Sequence, residues 1–282
     1  MKKTFRIFAL CSMVLALAFT SCSKPEEGED INNDPNAIPA LTVSHEVQKR
    51  NAFIEEYTGV QCGYCPDGHA IARQLMENNP GRVIAVNIHQ GGYATRYTTS
   101  FGNMLASQAG ITGYPCGTVN RNSSALSRGQ WANACKQVMA ENSCVNLAAR
   151  AIIDTTTKEM TLDIKGYYTD NSAAETNKLS VMILQNDVVG PQSNYGNYNQ
   201  QAYDENGNYH HMHMLRHMLS AVWGDEISNT TQGSEFDKNY TYTFPAKIGD
   251  VNVDLPNMQV VVFIAESKKD VITAIDAEII LR

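Results

Sequence analysis

Two cysteines stand two residues apart in the stretch Tyr57-Thr58-Gly59-Val60-Gln61-Cys62-Gly63-Tyr64-Cys65-Pro66. Thiols at this spacing across the start of a helix can close a small disulfide ring with little backbone movement, so the pair reads as a redox dithiol. Unpaired N–H groups at a helix N-terminus favour a thiolate, which makes Cys62 the expected exposed nucleophile and Cys65 the buried resolving thiol. Pro66 falls where a missing N–H costs nothing. Gly63 and Tyr64, between the sulfurs, are expected to face a substrate. The same spacing also serves half of a zinc site or a structural bridge, but no second CxxC completes a four-cysteine set.

Glu56, six residues before Cys62, adds a carboxylate to the pattern. It sits in a run with Phe53, Ile54 and Tyr57 that reads as a strand. A carboxylate in such a strand should have a raised pKa, which suits it to take the proton of the resolving thiol. Strand alternation leaves the opposite assignment open, with Glu55 inward and Glu56 outward.

The elements that must position these groups follow in order. A helix is expected from about Pro66 to Asn79 and a buried strand from Val83 to Ile88. Roughly fifty residues past the dithiol come Gly113-Tyr114-Pro115 and then Thr118-Val119-Asn120. These residues resemble the thioredoxin superfamily, whose members carry a cis-proline loop facing the dithiol just before a strand. The resemblance implies that Pro115 is that proline, that Tyr114 offers its backbone to a substrate chain, and that Glu56 is the family's buried acid. Between Gln90 and Ala109 the chain departs from a minimal member. Gly91-Gly92 opens a stretch with Tyr93, Tyr97, Thr98 and Thr99, and Phe101, Leu105 and Ala109 at four-residue steps predict a short helix that either roofs the dithiol or serves as scaffold. A last helix is expected from about Arg128 to Glu141, on the apolar rhythm of Trp131, Ala134 and Val138.

The chain begins with Lys2, Lys3 and Arg6 ahead of an apolar run from Ile7 to Phe19, too short to span a bilayer. Thr20-Ser21-Cys22 then resembles a bacterial lipoprotein signal, which implies lipidation of Cys22 and attachment to the membrane through that lipid. Removing the first 21 residues leaves 261 and moves the formal net charge from −7 to about −10. This acidic balance, with no basic patch interleaved with aromatics, argues against nucleic acid as a partner. Ser23 to Pro39 is polar, broken by Pro25, Pro35 and Pro39, and carries Glu26, Glu27, Glu29 and Asp30. It reads as a solvated tether, and it also resembles the acidic export signal of surface lipoproteins in Bacteroides-type bacteria. Of the remaining cysteines, Cys116 follows Pro115 directly and is either a third redox participant or a small core residue. Cys135 and Cys144 are the best candidates for a structural bridge.

The second half changes character. Segments rich in β-branched and aromatic residues recur from Val145 to Asp154, Met160 to Thr169, Leu179 to Val189, His211 to Val222, Tyr240 to Phe244, Gln259 to Ala265 and Ile272 to Leu281. Turn signals separate them, which points to a β-sandwich of immunoglobulin-like size. Pro191 to Tyr209 is a long loop with Tyr195, Tyr198, Tyr203 and Tyr209 among Asn, Gln and Gly, a composition suited to adaptable polar recognition or to a plain connection. In His210-His211-Met212-His213-Met214-Leu215-Arg216-His217, a helix would set His213 and His217 on one face at metal-ligand spacing. A strand would split them. The neighbours favour a strand, so no metal ligand is assigned and no cofactor is expected.

Taken together, the lipoprotein signal, Glu55-Glu56-Tyr57-Thr58-Gly59 before the CxxC, Asn87-Ile88-His89-Gln90 at a strand end, the Gly-Tyr-Pro loop ending in Val119-Asn120-Arg121, and His211-x-His213-x-Leu215-Arg216 resemble one family. It is the outer-membrane lipoprotein family related to the twenty-eight-kilodalton outer-membrane protein of Bacteroides-type bacteria. The organisation this implies is a signal peptide at 1–21, an acidic flexible tether at 22–45, an α/β thioredoxin-like domain with a mixed sheet and flanking helices at 46–144, and an all-β immunoglobulin-like sandwich at 145–282. Location is expected at the outer membrane, on the periplasmic side or the cell surface. Two functions compete. One is a lipid-anchored thiol-disulfide oxidoreductase with protein thiols or disulfides as partners. The other is a binding or adhesion lipoprotein in which Cys62 and Cys65 form a static bridge and the β-rich half carries the surface ligand.

Overall fold

Strand β1 (Ala52–Thr58) is buried at every one of its seven residues, because both of its faces are covered. It pairs in parallel with β2 (Val83–His89) across the helix α1 (Cys65–Asn78). On its other side it pairs antiparallel with β3 (Cys116–Val119), which pairs with β4 (Leu126–Ser127). In this computed structural model residues 38–282 are described, and Ala40–Arg282 is one compact unit. Alternation along β1 sends Ala52 and Ile54 to one face, where Ala72 of α1 and Trp131, Cys135 and Val138 of α3 (Trp131–Ala140) cover them. Phe53 and Tyr57 go to the other face with Ile84 and Ile88, under Leu105 of α2 (Ser100–Ala109). Helix α2 starts where the Thr99 hydroxyl accepts from the Gly102 amide at 2.9 Å, and it stops at Gly110, whose φ of 66° is left-handed.

The second half contributes β5 (Val145–Asp154), β6 (Glu159–Tyr168), β7 (Asn177–Gln185), β8 (Val188–Gly190), β9 (Tyr209–His211), β10 (Met214–Met218), β11 (Asp225–Ile227), β12 (Glu235–Thr243), β13 (Lys247–Ile248), β14 (Val251–Asn252), β15 (Met258–Ala265), β16 (Val271–Asp276) and β17 (Glu278–Leu281). Each β-rich segment read from the sequence overlaps at least one of these strands, and the fold is mixed α/β with sheet predominating.

The two halves share one sheet. Its order is β16-β15-β7-β10-β2-β1-β3-β4, with β11 also on β7. The seam is Asn87 of β2, whose amide donates to the His213 carbonyl at 2.8 Å and whose side-chain Nδ2 donates to the Met212 carbonyl at 2.9 Å. A second sheet, β12-β6-β5-β17, packs on the β7 and β15 end of the first. The sequence leads one to expect an immunoglobulin-like sandwich at 145–282. The structure does stack two sheets there, but one of them runs on through the first half. The reason lies in β7 and β15, which are apolar on both faces. Val181, Ile183, Val260 and Val262 meet the four-stranded sheet, while Met182, Leu184, Val261 and Phe263 join the core beneath α2. The expected signal peptide at 1–21, Cys22 and the tether as far as residue 37 lie outside the described residues. Among the described residues no helix is long and apolar enough to cross a membrane.

Candidate functional site

Cys62 and Cys65 are joined by a disulfide at the start of α1. Cys65 is the first helical residue, and its amide donates to the Cys62 carbonyl at 3.2 Å. Cys62 is 8% exposed and Cys65 is 0%, so Cys62 is the more accessible residue of the pair without being open. Two segments close over it. The Gln61 amide donates to the Tyr93 carbonyl at 3.2 Å. From the long loop, the Ser193 amide donates to the Val60 carbonyl at 2.8 Å, the Tyr195 amide donates to the Gly63 carbonyl at 2.9 Å, and the Gln192 side-chain amide donates to the Cys62 carbonyl at 3.0 Å. The glycine at 63 makes this approach possible, since a β-carbon there would stand 2.3 Å from the Tyr195 ring. Tyr64, 49% exposed, meets the Tyr195 ring edge-on at 5.5 Å, and the Arg128 guanidinium lies 5.9 Å from the Tyr64 ring centre.

Behind the helix start lies Glu56, fully buried, with neither carboxyl oxygen hydrogen-bonded. Gly68 of α1 covers it: a β-carbon there would stand 2.4 Å from Glu56 Oε1 and 3.0 Å from Pro115 Cβ. Glu56, the first turns of α1 and Pro115 thus converge on one point, and the Tyr114–Pro115 peptide bond is cis. Burial pushes the Glu56 carboxyl well above its usual range; the Arg128 charge opposes this and the Asp67 charge reinforces it. Glu55 is also buried, on the opposite face, where Arg121 grips it with Nε at 2.8 Å and Nη2 at 2.6 Å while the Thr118 hydroxyl donates at 3.1 Å. Alternation framed a choice between one inward acid and one outward acid; a strand covered on both faces buries both.

Cys116 is half-buried, its thiol donates to the Gly113 carbonyl at 2.8 Å, and burial, with the Glu56 charge adding, pushes it up to about 11. The Tyr114 hydroxyl donates to the side chain of Gln90. Cys135 and Cys144 do not form the bridge that the sequence suggested: both are free. Cys135 faces the core between α3 and the long sheet, whereas Cys144 packs against the core between the two sheets.

Next to Glu56 runs a chain of hydrogen bonds. His69 Nε2 meets the Thr58 hydroxyl at 2.8 Å and lies 3.8 Å from Glu56 Oε1; His69 Nδ1 meets the Tyr209 hydroxyl at 2.7 Å; and Asn199 Nδ2 donates to that hydroxyl at 2.7 Å. Burial, with His211 and His213 adding, lowers His69 to about 3, so the ring is neutral. His69, Tyr209 and Asn199 line a cleft of about 260 Å³ together with Arg73, His210 and His213. The His210–His217 run is β9 and β10, broken at His213 with φ 53°, and its rings go to separate partners. His210 pairs with Asp187, His213 Nδ1 with Gln259 at 2.8 Å, and His217 stacks on Tyr242. Among the described residues no three potential metal-ligating side chains gather.

Residues 102–279 match the family described as "Outer membrane protein Omp28". The chain belongs to the Omp28 family. Membership carries the outer-membrane location expected from the sequence. Among solved structures, HBP35 of Porphyromonas gingivalis is similar over 82% of this chain and 76% of its own, at 20% identity and a TM-score of 0.67, which speaks to the fold alone. A domain of the outer membrane lipoprotein Omp28 from the same organism matches over 50% of this chain and 91% of its own, at 17% identity and a TM-score of 0.34. No curated protein matches the chain.

The Omp28 match begins after the dithiol, so family membership by itself assigns nothing to Cys62 and Cys65. Several residues that carry the sequence resemblance prove architectural. Asn120 Oδ1 accepts from the Phe53 amide at 2.8 Å, Arg121 holds Glu55, and Arg216, buried, donates to the Tyr97 and Ile248 carbonyls at 3.0 and 2.6 Å. His69 was not singled out in the sequence, yet a signal was there: it follows Cys65 by one helical turn and so shares its inward face. Asn199 comes from the long loop and Tyr209 from the start of β9, both distant in sequence, and no local pattern ties them to α1.

Proposed function

We propose that this outer-membrane protein exchanges disulfides with protein thiols through Cys62 and Cys65, on a thioredoxin-like arrangement of β1, α1, β2 and β3. One observation carries the reading: a buried carboxyl without a hydrogen-bond partner sits against the helix that bears the dithiol, at the point where Pro115 also touches that helix. A carboxyl buried unpaired is costly and is expected where it has a task. In the oxidative direction, Cys62 thiolate attacks a substrate disulfide, forming Cys62–S–S–R and releasing R′S⁻. Glu56 carboxylate takes the proton of Cys65, and the Cys65 thiolate attacks Cys62 to close the ring and release RS⁻. Gly63, Tyr64, Tyr114 and Pro115 would present the docking edge, and lipid on Cys22 would tether the protein.

The loop over Cys62 favours a second reading, in which the disulfide is a static clasp and the loop tyrosines form a binding surface. Equilibration of the pair in graded dithiol buffers separates the two. A reduction potential between about −120 and −270 mV, with catalysed reduction of a protein disulfide, is expected for exchange; a value below about −300 mV without turnover sinks it.

A further inference from the structure

We propose that His69 and Tyr209 relay protons between Glu56 and the cleft beyond α1, so that the buried acid exchanges protons with solvent without passing the covered dithiol. The inference rests on the exchange function argued above and names the route its acid needs. Glu56 has no hydrogen-bonded neighbour and no exposure, yet each catalytic cycle must load and unload its proton. His69 Nε2, at 3.8 Å, is an ionisable side chain within reach of its carboxyl oxygen.

In the proposed relay Asn199 Nδ2 donates to the Tyr209 oxygen, and the Tyr209 hydroxyl gives its proton to His69 Nδ1. The imidazole proton is then on Nε2, which meets the Thr58 hydroxyl at 2.8 Å and stands 3.8 Å from Glu56 Oε1. This oxidised state is set to deliver. When a dithiol thiolate attacks Cys62, the S–S bond breaks and Cys65 leaves as thiolate. Cys65 takes the Glu56 proton, Glu56 takes the Nε2 proton, Nδ1 takes the Tyr209 proton, and Tyr209 takes one from water in the cleft. The second thiolate of the reductant releases Cys62 and is itself oxidised to a disulfide. The ring ends neutral in its other tautomer, so the oxidative half-reaction returns the proton along the same atoms. The charged and titratable groups facing this path include Asp67 and Arg73 on α1, His89 on β2, Arg128 before α3, Cys116 on β3, and Tyr203, His211 and His213 of the second half.

The test is steady-state reduction of insulin by dithiothreitol with the mature chain, comparing wild type, Tyr209→Phe, His69→Gln, Glu56→Gln and the Glu56→Gln/Tyr209→Phe pair, in H₂O and D₂O. Tyr209→Phe keeps the ring and removes only the relaying hydroxyl. It should lower kcat about tenfold at unchanged KM and enlarge the solvent isotope effect, with the rate of Cys62 alkylation unchanged. His69→Gln, which can still bridge Thr58 and Tyr209, should do the same. In the Glu56→Gln background Tyr209→Phe should add nothing. Wild-type kcat in both relay variants, or full additivity with Glu56→Gln, would overturn the relay and leave the exchange function standing. Absence of turnover in the wild type would overturn both.

Discussion

The amide of Tyr195 donates to the carbonyl of Gly63 at 2.9 Å, laying a strap from the second half of the chain across the turn between the two sulfurs. Ser193 and Gln192 fix the same strap to Val60 and to Cys62. Access to Cys62 therefore depends on a few hydrogen bonds and one aromatic ring. The strap also ties the Cys62–Cys65 turn to the segment that supplies Asn199 and Tyr209.

Weakening the strap should open the dithiol. In Gln192→Ala/Tyr195→Ala, the Gln192 side-chain hydrogen bonds to the Gly59, Cys62 and Ser193 carbonyls and the Tyr195 ring contact are lost, together worth on the order of 1.5 kcal/mol, so reduction by dithiothreitol and subsequent alkylation of Cys62 should run roughly tenfold faster. Gly63→Ala should act in the same direction, since its β-carbon displaces the Tyr195 ring. Unchanged reduction rates in both would mean that the strap does not limit access.

Gly68→Ala should disturb the site from behind. The new methyl has Glu56 Oε1 and Pro115 Cβ as its nearest neighbours, and both residues are buried. A loss of about 1–3 kcal/mol in urea unfolding is expected, together with slower exchange by a protein that still folds. Full stability would show that Glu56 has room to move.

How much of this was readable in advance divides by range. The dithiol and α1 follow from local spacing, whereas the burial of Glu56 was implied by the resemblance, because alternation along the strand left Glu55 and Glu56 equally open. The joining of the sheets was hidden because β7 and β15 read equally well as strands of an immunoglobulin-like sandwich. Only the three-dimensional pairing at Asn87 reveals that the sheet continues. The free state of Cys135 and Cys144 was hidden for the same reason, since spacing along the chain does not tell which core a thiol faces.

The Glu55–Arg121 pair should be costly to break and cheap to replace. Arg121 is buried between Glu55 and the Phe263 ring, 4.9 Å from its centre. Arg121→Met leaves a buried carboxylate with only Thr118, which should cost about 3–5 kcal/mol in urea unfolding. Adding Glu55→Leu should recover most of that loss. A single variant within 1 kcal/mol of wild type would show that water reaches Glu55.

The buried acid and the buried histidines should act on stability at opposite ends of the pH scale. Burial raises the Glu56 carboxyl in the fold, so as pH rises above the ordinary carboxyl value of 4.5 the unfolded chain loses its proton before the folded chain does, and stability falls. Glu56→Gln should therefore unfold at higher urea than wild type at pH 7, and the gain should vanish below about pH 4. His211 behaves oppositely. Its folded value is lowered to about 4 by burial, against 6.5 for the free side chain, so its neutral form supports the fold above pH 6.5 and that support is lost as pH falls toward 4. His69, lowered to about 3, adds a loss of the same sign. His211→Phe keeps the ring contacts with Tyr97 and Tyr209, which stand at 5.1 and 4.9 Å, and removes the titrating group. Between pH 6.5 and 4.5 it should lose on the order of 2 kcal/mol less stability than wild type, measured by urea unfolding at each pH. An acid limb of equal steepness in the two proteins would show that His211 protonates within the fold, and that the ring cluster beside His69 is open to water.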